Sequence, residues 1–311
     1  MRAARAVRGA IQQDFIKKFE ALSGRYSVRQ IWEDWVISSA ISISNVVDHV
    51  HAPEREKRYM TIASKYSRKE LEMFSELFAD FVNAVDGNPD QDFLGEMYMA
   101  VGMGNENAGQ FFTPYCVCKM MAKITNTDVL LGQLQQRGWV SVLDPACGAG
   151  ALLIAFANEC LSQKINYQTQ VLFVAQDIDY LVGCMCYLQL SILGCPGYVV
   201  IGDSIAHPTT SHDPHGLLPC DDGNVWYTPF LFREEWHVRR TAAQLALAFS
   251  ALGVTPGIKE ADAVPDPTPV LTLPEPEPLP PAVTPSPEPE SPVEAVETVF
   301  TENEYGQLTL F

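Results

Sequence analysis

Val140-Ser141-Val142-Leu143 runs directly into Asp144-Pro145-Ala146-Cys147-Gly148-Ala149-Gly150, a short β-branched strand that ends in a glycine-rich turn. Glycines at such a turn let the backbone fold tightly and approach a ligand, and the N-terminus of the following helix favours negative charge. That helix is predicted from Ala151 to about Leu161. Beyond it the pattern predicts a strand over Val171–Ala175, a helix from Tyr180 to Leu193 and a strand over Tyr198–Ile201. Strand, helix, strand, helix, strand implies a parallel α/β sheet with right-handed crossovers, whose ligands sit at the carboxyl ends of the strands. The second strand ends in Gln176-Asp177-Ile178-Asp179 and the third in Gly202-Asp203-Ser204. An acid at the second tip is placed to grip ribose hydroxyls. Three consecutive strand ends tipped with aspartate point to a cofactor that carries a nucleoside.

Upstream, residues 1 to about 100 read as a helical N-terminal region. Ser27-Val28-Arg29-Gln30 and Ser67-Arg68-Lys69-Glu70 both fit a capping box, in which side chains satisfy the orphan amides of a helix start. Leu71, Phe74, Leu77, Phe78, Phe81 and Val85 fall on one helical face, and Trp32 shares a face with Trp35. These stripes read as core. The α/β region is expected over 101–255. Downstream, 13 of the 22 prolines lie between Pro256 and Pro292, interleaved with Glu, Thr and Ser. Proline removes amide donors and little here is apolar, so 256–300 reads as a disordered tether. A terminal segment, 301–311, turns apolar again.

The chain has 311 residues, 47% of them hydrophobic, enough for one medium core or two small ones. No apolar run approaches the roughly 20 residues that span a bilayer. No apolar stretch follows Met1-Arg2-Ala3-Ala4-Arg5, so no secretory signal is expected. Eight scattered cysteines then fit a reducing cytoplasm better than a disulfide framework. The net charge is −17, but residues 256–311 hold 11 acids and one base, a net of −10, which leaves −7 for the rest. An acidic total concentrated in a tail does not exclude a nucleic-acid partner, and Arg2, Arg5, Arg8, Lys17, Lys18, Arg25 and Arg29 make the first 30 residues basic.

The glycine turn resembles motif I of the N6-adenine DNA methyltransferases, and looks closest to the modification subunit of type I restriction-modification systems. Gly109-Gln110-Phe111-Phe112-Thr113-Pro114 resembles that family's motif X, Ala175-Gln176-Asp177-Ile178-Asp179 its motif II, and Ile201-Gly202-Asp203-Ser204 its motif III. The order X, I, II, III is the family's, and the resemblance covers roughly residues 90 to 205. It implies a class I, Rossmann-like fold that uses S-adenosyl-L-methionine, with DNA as substrate. By that resemblance Phe112 and Thr113 would contact the cofactor, and Asp144, Ala146, Gly148 and Gly150 would line its amino-acid and sulfonium end. Asp177 would hold the ribose, Asp203 would accept from the adenine amino group, and Ile178 would pack on the ring.

The resemblance stops at the catalytic motif, Asn/Asp-Pro-Pro followed by Tyr or Phe. In that motif the flipped base stacks on the aromatic ring and donates its amino group to the amide and a proline carbonyl. The sequence contains no Asn-Pro-Pro or Asp-Pro-Pro. Asn224-Val225-Trp226-Tyr227-Thr228-Pro229-Phe230 has the residue types at the wrong spacing, and reads as a strand that packs Trp226 and Phe230 into the core. Roughly 50 residues between Asp203 and the tether are too few for the family's four further strands. A truncated methyltransferase domain is therefore expected, with a specificity or complementing methyltransferase subunit as partner. The alternative is a catalytically inactive cofactor-binding protein that acts as regulator or decoy. Glu234, Glu235, Arg239 and Arg240 read as an exposed charged helix face. Finally, Gln307, Leu308, Leu310 and Phe311 resemble the short peptide by which bacterial replication and repair proteins dock on the sliding clamp, here borne on a tether.

Overall fold

The computed structural model describes residues 9–103, 112–125, 128–220 and 224–251. The tether and the clamp-like peptide, with Gln307, Leu308, Leu310 and Phe311, lie outside them. Helices come first: α1 (Ala10–Leu22), α2 (Val28–Val47), α3 (Ala52–Ala63), α4 (Arg68–Gly87), α5 (Phe93–Ala100), α6 (Tyr115–Thr125) and α7 (Asp128–Arg137). The α/β part runs β1 (Val140–Asp144), α8 (Ala151–Ser162), α9 (Tyr167–Gln170), β2 (Val171–Asp177), α10 (Tyr180–Ile192), β3 (Gly197–Ile201), β4 (Val225–Tyr227), and α11 (Glu234–Ala251). Among the described residues no helix is long and apolar enough to cross a membrane.

The helix starts follow the predicted chemistry. Ser27 accepts from the Gln30 amide, and Ser67 and Glu70 form the full reciprocal capping box at the head of α4. Phe74, Leu77, Phe81 and Val85 are buried, as are Trp32 and Trp35. Phe15 stands edge-on to Trp35 and to Phe93, with centroids 5.3 and 5.4 Å away. Such aromatic contacts are worth about 0.5–1.5 kcal/mol each beyond area burial.

The sheet order is β1-β2-β3-β4. β1 and β2 are parallel, with Val140 opposite Val171 and Asp144 opposite Ala175. β2 and β3 are parallel, with Phe173 opposite Gly197 and Asp177 opposite Ile201. The parallel pairs follow from the helical crossovers α8 and α10. β4 pairs antiparallel with β3, Val199 opposite Trp226. Side chains alternate across the sheet as period two requires: Phe173, Ala175, Val199 and Ile201 join one core, Leu172, Val174, Tyr198 and Val200 the other. The first core is continuous with the aromatic cluster of α1, α2, α4 and α5, so one apolar interior runs from the helical region into the sheet.

Two polar devices fasten that junction. Arg55 of α3 is buried; it donates to Asp48 Oδ2 at 2.8 Å, to Ser44 Oγ at 2.5 Å and to the Val225 carbonyl of β4 at 2.6 Å. Its guanidinium lies 4.0 Å from the centroid of Trp226. The second device is Gln189 of α10, described with the site. The sequence stretch around Trp226 is indeed a strand with Trp226 buried, while Phe230 is half-buried in a 3-10 turn after it. Arg239 and Arg240 depart from the exposed face expected of them. Arg239 donates to the Thr169 carbonyl at 2.7 Å and lies 4.4 Å from the Trp236 ring, and Arg240 lies 5.0 Å from Tyr227. Flat guanidinium groups stack on aromatic faces while their edges keep hydrogen bonds.

Candidate functional site

The turn after β1 takes its shape from two left-handed glycines. Gly148 has φ +55° and Gly150 φ +95°, conformations that L side chains rarely adopt. At Gly150 space disfavours a side chain as well. A Cβ on Gly150 would lie 2.9 Å from Cys186 Sγ, and one on Gly148 3.4 Å from the Phe112 ring. The expected motif X residue therefore sits directly against the expected motif I turn. Phe112 also packs on Tyr98, centroids 5.2 Å apart, and Thr113 is exposed beside it. Phe112 and Thr113 together line an open cleft of about 730 Å³.

The three strand-tip carboxylates differ in their surroundings. Asp144 accepts from the Ala146 amide at 3.1 Å, yet burial pushes its carboxyl above the usual range and the Asp177 charge adds to this, against that one hydrogen bond. Asp177 accepts from the Gly148 amide at 2.9 Å and from the Asp179 amide at 2.9 Å, so it ties the first two strand tips together. Each of its oxygens keeps a second lone pair for a ligand. Asp203 is exposed, and the Ala206 and Ile205 amides hold its carboxyl below the usual range. It lines a hollow of about 300 Å³ with Gln176, His207 and Asn224. Ile178 stands 73% exposed between the second and third tips, and Ala146 is exposed on the turn. Cys147 is buried against Cys186, which raises its thiol pKa well above the usual value together with desolvation. A thiol held in that state is a poor nucleophile.

Structure adds residues that the sequence reading did not single out. Gln189, 1% exposed, donates to the Ala149 carbonyl of the glycine turn and to Asp92 Oδ1, each at 2.8 Å, and accepts from the Leu94 amide at 3.1 Å. Asp92 is itself the N-cap of α5, accepting from Gly95 at 3.0 Å. The helical region thus grips the turn through one glutamine. Gln176 plays the same part after β3: it donates to the His207 carbonyl at 2.9 Å and accepts from the Thr209 amide at 3.1 Å. A lone glutamine in the otherwise apolar run Tyr180–Ile192 was the available signal, since a buried amide needs partners.

Residues 90–217 match the family model N-6 DNA Methylase. No curated protein matches the chain. Among solved structures, a Listeria monocytogenes protein assigned as a class I S-adenosylmethionine-dependent methyltransferase aligns at 17% identity over 57% of this chain and 54% of that chain, with a TM-score of 0.31. The chain thus spans about half the length of that relative.

The cofactor of an N-6 DNA methylase is S-adenosyl-L-methionine, and the residues fit it. Gly148 and Gly150 leave a bare turn beneath Phe112, and Asp144 offers a half-buried carboxyl that carries no cationic partner in any described contact. A sulfonium and an ammonium are the charges such a carboxylate lacks. The stretch that matches the N-6 DNA methylase model begins just before α5, takes in Phe112, the glycine turn and all three strand tips, and ends in the loop beyond β3.

Proposed function

We propose that this chain is the cofactor-bearing part of an S-adenosylmethionine-dependent adenine-N6 DNA methyltransferase, working in the cytoplasm with a partner that supplies the target-base site and specificity. The observation that carries the reading is the convergence of Phe112 on Gly148 beside the neighbouring carboxylates Asp144 and Asp177, the second bonded to the Gly148 amide. In this reading the bound cofactor supplies the methyl group. Asp144, Ala146, Gly148 and Gly150 hold its charged end, Phe112 and Thr113 close over it, and Asp177 takes the ribose. Ile178 and Asp203 meet the adenine.

The test is calorimetric titration of S-adenosylmethionine into wild type and Asp144→Ala. Wild type should bind, and the variant should weaken by at least about tenfold, the effect of removing one charge-assisted contact. Loss of binding in wild type would sink the reading. A second expectation concerns pH. A cationic ligand favours the ionised carboxylate, whose pKa without ligand lies above the ordinary 3.8. Affinity should therefore fall as pH drops through that raised value, with proton release on binding measurable in buffers of different ionisation enthalpy. Asp144→Asn should flatten that slope.

One observation favours a second reading. The sequence holds no Asn-Pro-Pro or Asp-Pro-Pro, so the chain alone lacks the acceptor that polarises an adenine amino group. A catalytically inactive regulator or decoy would bind the cofactor without turnover in any partner's presence. Either form is served by a clamp-docking peptide. Deleting Gln307–Phe311 should abolish binding to a bacterial sliding clamp in surface plasmon resonance and leave cofactor affinity unchanged. Equal clamp affinity with and without the peptide would remove clamp docking from the account.

A further inference from the structure

Arg137 closes α7 just ahead of β1 and Arg239 lies in the second turn of α11, yet their guanidinium groups gather on one ring. Arg137 Cζ is 4.2 Å and Arg239 Cζ 5.8 Å from the Trp139 centroid. The two positive charges are therefore no more than about 10 Å apart, roughly one Debye length. Trp236 stands edge-on to Trp139 at 5.8 Å and also holds Arg239, at 4.4 Å. Arg240 follows on the same helix, its Nε buried without a hydrogen-bond partner among the described residues.

Stacking occupies the faces of these groups and leaves their charge uncompensated. Burial pulls both Arg137 and Arg239 below the ordinary arginine pKa, the mark of cations from which water has been withdrawn. The acids that act on them from nearby are Asp213 and Glu235. Asp213 is engaged by the His215 and Leu218 amides at 2.9 and 3.1 Å, and Glu235 lies 3.9 Å from Arg233. Among the described residues, neither Arg137 nor Arg239 has an ion pair.

Several donors are unused as well. Arg137 donates from Nε to the Trp139 carbonyl at 3.0 Å and from Nη1 to His215 Nδ1 at 2.6 Å. Arg239 donates from Nη1 to the Thr169 carbonyl at 2.7 Å. Among the described residues Nη2 of Arg137, and Nε and Nη2 of Arg239, make no hydrogen bond. Arginine can only donate, so His215 accepts at Nδ1 and carries its proton on Nε2. Burial and the Arg137 charge lower its pKa in the same sense. That proton sits on an exposed side chain, one more donor beside the two cations.

Planar forks of donors on half-desolvated cations match the oxygens of a phosphate. Trp139 and Trp236 are 6 and 0% exposed, so no base can stack on them, and the guanidinium edges are what the cluster offers. This favours the backbone of a duplex over a single strand, whose binding leans on stacked bases. The reach agrees. Trp139 precedes β1 and Asp144 ends it, and strand residues at about 3.3 Å each put the cluster about 17 Å from the glycine turn. A DNA strand covers that span in about five steps of roughly 3.4 Å.

We infer that Arg137 and Arg239, with His215 beside them, form a site for a backbone phosphate of the substrate DNA, outside the cofactor site. The inference rests on the methyltransferase reading. A phosphate contact positions the duplex and carries no sequence information, so its loss should weaken all sequences alike.

The test is fluorescence anisotropy of a labelled duplex of about twenty base pairs with the full chain over a series of salt concentrations. Arg137→Gln/Arg239→Gln should weaken binding at least tenfold and lower the slope of log affinity on log salt by about one, the counterions released by one phosphate. Arg137→Lys/Arg239→Lys keeps the charges and should keep the slope. A clasp that only packs α11 on the sheet would lower the melting temperature of the Gln variant but leave duplex affinity and slope unchanged, and that result overturns the inference. So does a wild type that binds no duplex, or one that prefers a single strand. Calorimetry with pyrophosphate separates the sources of phosphate: binding as tight as that of the duplex would assign the cluster to a free anion and overturn the DNA contact. Cofactor titration keeps the two ideas apart. Unchanged S-adenosylmethionine affinity in a Gln variant that has lost the duplex supports the inference. A wild type that holds the duplex through these arginines but takes no S-adenosylmethionine sinks the methyltransferase reading and leaves a nucleic-acid phosphate site standing.

Discussion

Replacing Arg55 with alanine should lower the unfolding free energy by about 3–5 kcal/mol, the range for removing one partner of a buried ion pair. The loss has three parts. Asp48, 4% exposed, would keep its charge with only His51 beside it. The Ser44 hydroxyl and the Val225 carbonyl would lose their donor, and Trp226 the cation stacked on it. Denaturant unfolding followed by tryptophan fluorescence measures the change. A loss below 1 kcal/mol would mean that the cluster is already wet and the junction is held by apolar packing alone. Acid provides a second readout. Burial alone would raise the Asp48 carboxyl, but hydrogen bonds from His51 and the Arg55 charge bring it below its ordinary 3.8. A depressed carboxylate contributes stability above its unfolded pKa and loses it as pH falls through the folded one. The wild type should therefore shed this contribution below about pH 4, and Arg55→Ala should show a smaller acid step.

Gln189→Leu should cost about 2–4 kcal/mol, because a shape-conserving change takes a hydrogen-bond partner from three buried polar groups. The Ala149 carbonyl and the Leu94 amide lose the Gln189 side chain as partner, and Asp92 keeps its bond from the Gly95 amide. Burial already pushes Asp92 above the usual carboxylate range, against the hydrogen bonds from Gln189 and Gly95. Removal of the first pushes it further. A raised carboxylate contributes most below its unfolded pKa and less as pH rises through the folded one. The variant should thus lose more stability at pH 7 than at pH 5 in thermal melts. Cofactor affinity should fall with it, since the glycine turn loses its anchor, and a variant that melts early but binds normally would separate the two roles.

Much of this was legible beforehand because the α/β half obeys local rules. Strand and helix limits from Val140 to Ile201 fall within one or two residues of those expected, since β-branched runs, glycine turns and apolar helices all point the same way. The convergence of Phe112 on Gly148 was legible only through resemblance, because spacing along the chain says nothing of contact across 36 residues. The partners of Gln189 and Arg55 were not legible, although a lone glutamine in an apolar helix marked Gln189 as a residue in need of some. Their value lies in partners 40 and 170 residues away, and a polar side chain in a helix reads as surface until its neighbours are known. Arg239 misled for the same reason, its stack on Trp236 being a tertiary matter.

The unbroken apolar interior has a consequence for how this protein can be cut and recombined. Trp32, Tyr98 and Phe112 touch in sequence, with centroids 6.0 and 5.2 Å apart, so the helical region forms the back wall of the very turn that the sheet presents. A fragment begun near residue 101 would leave Phe173, Val199 and Ile201 without the other half of their core. Sheet and helices are therefore one unit of inheritance: a chimaera that swaps the glycine turn between relatives has to carry α1–α5 with it.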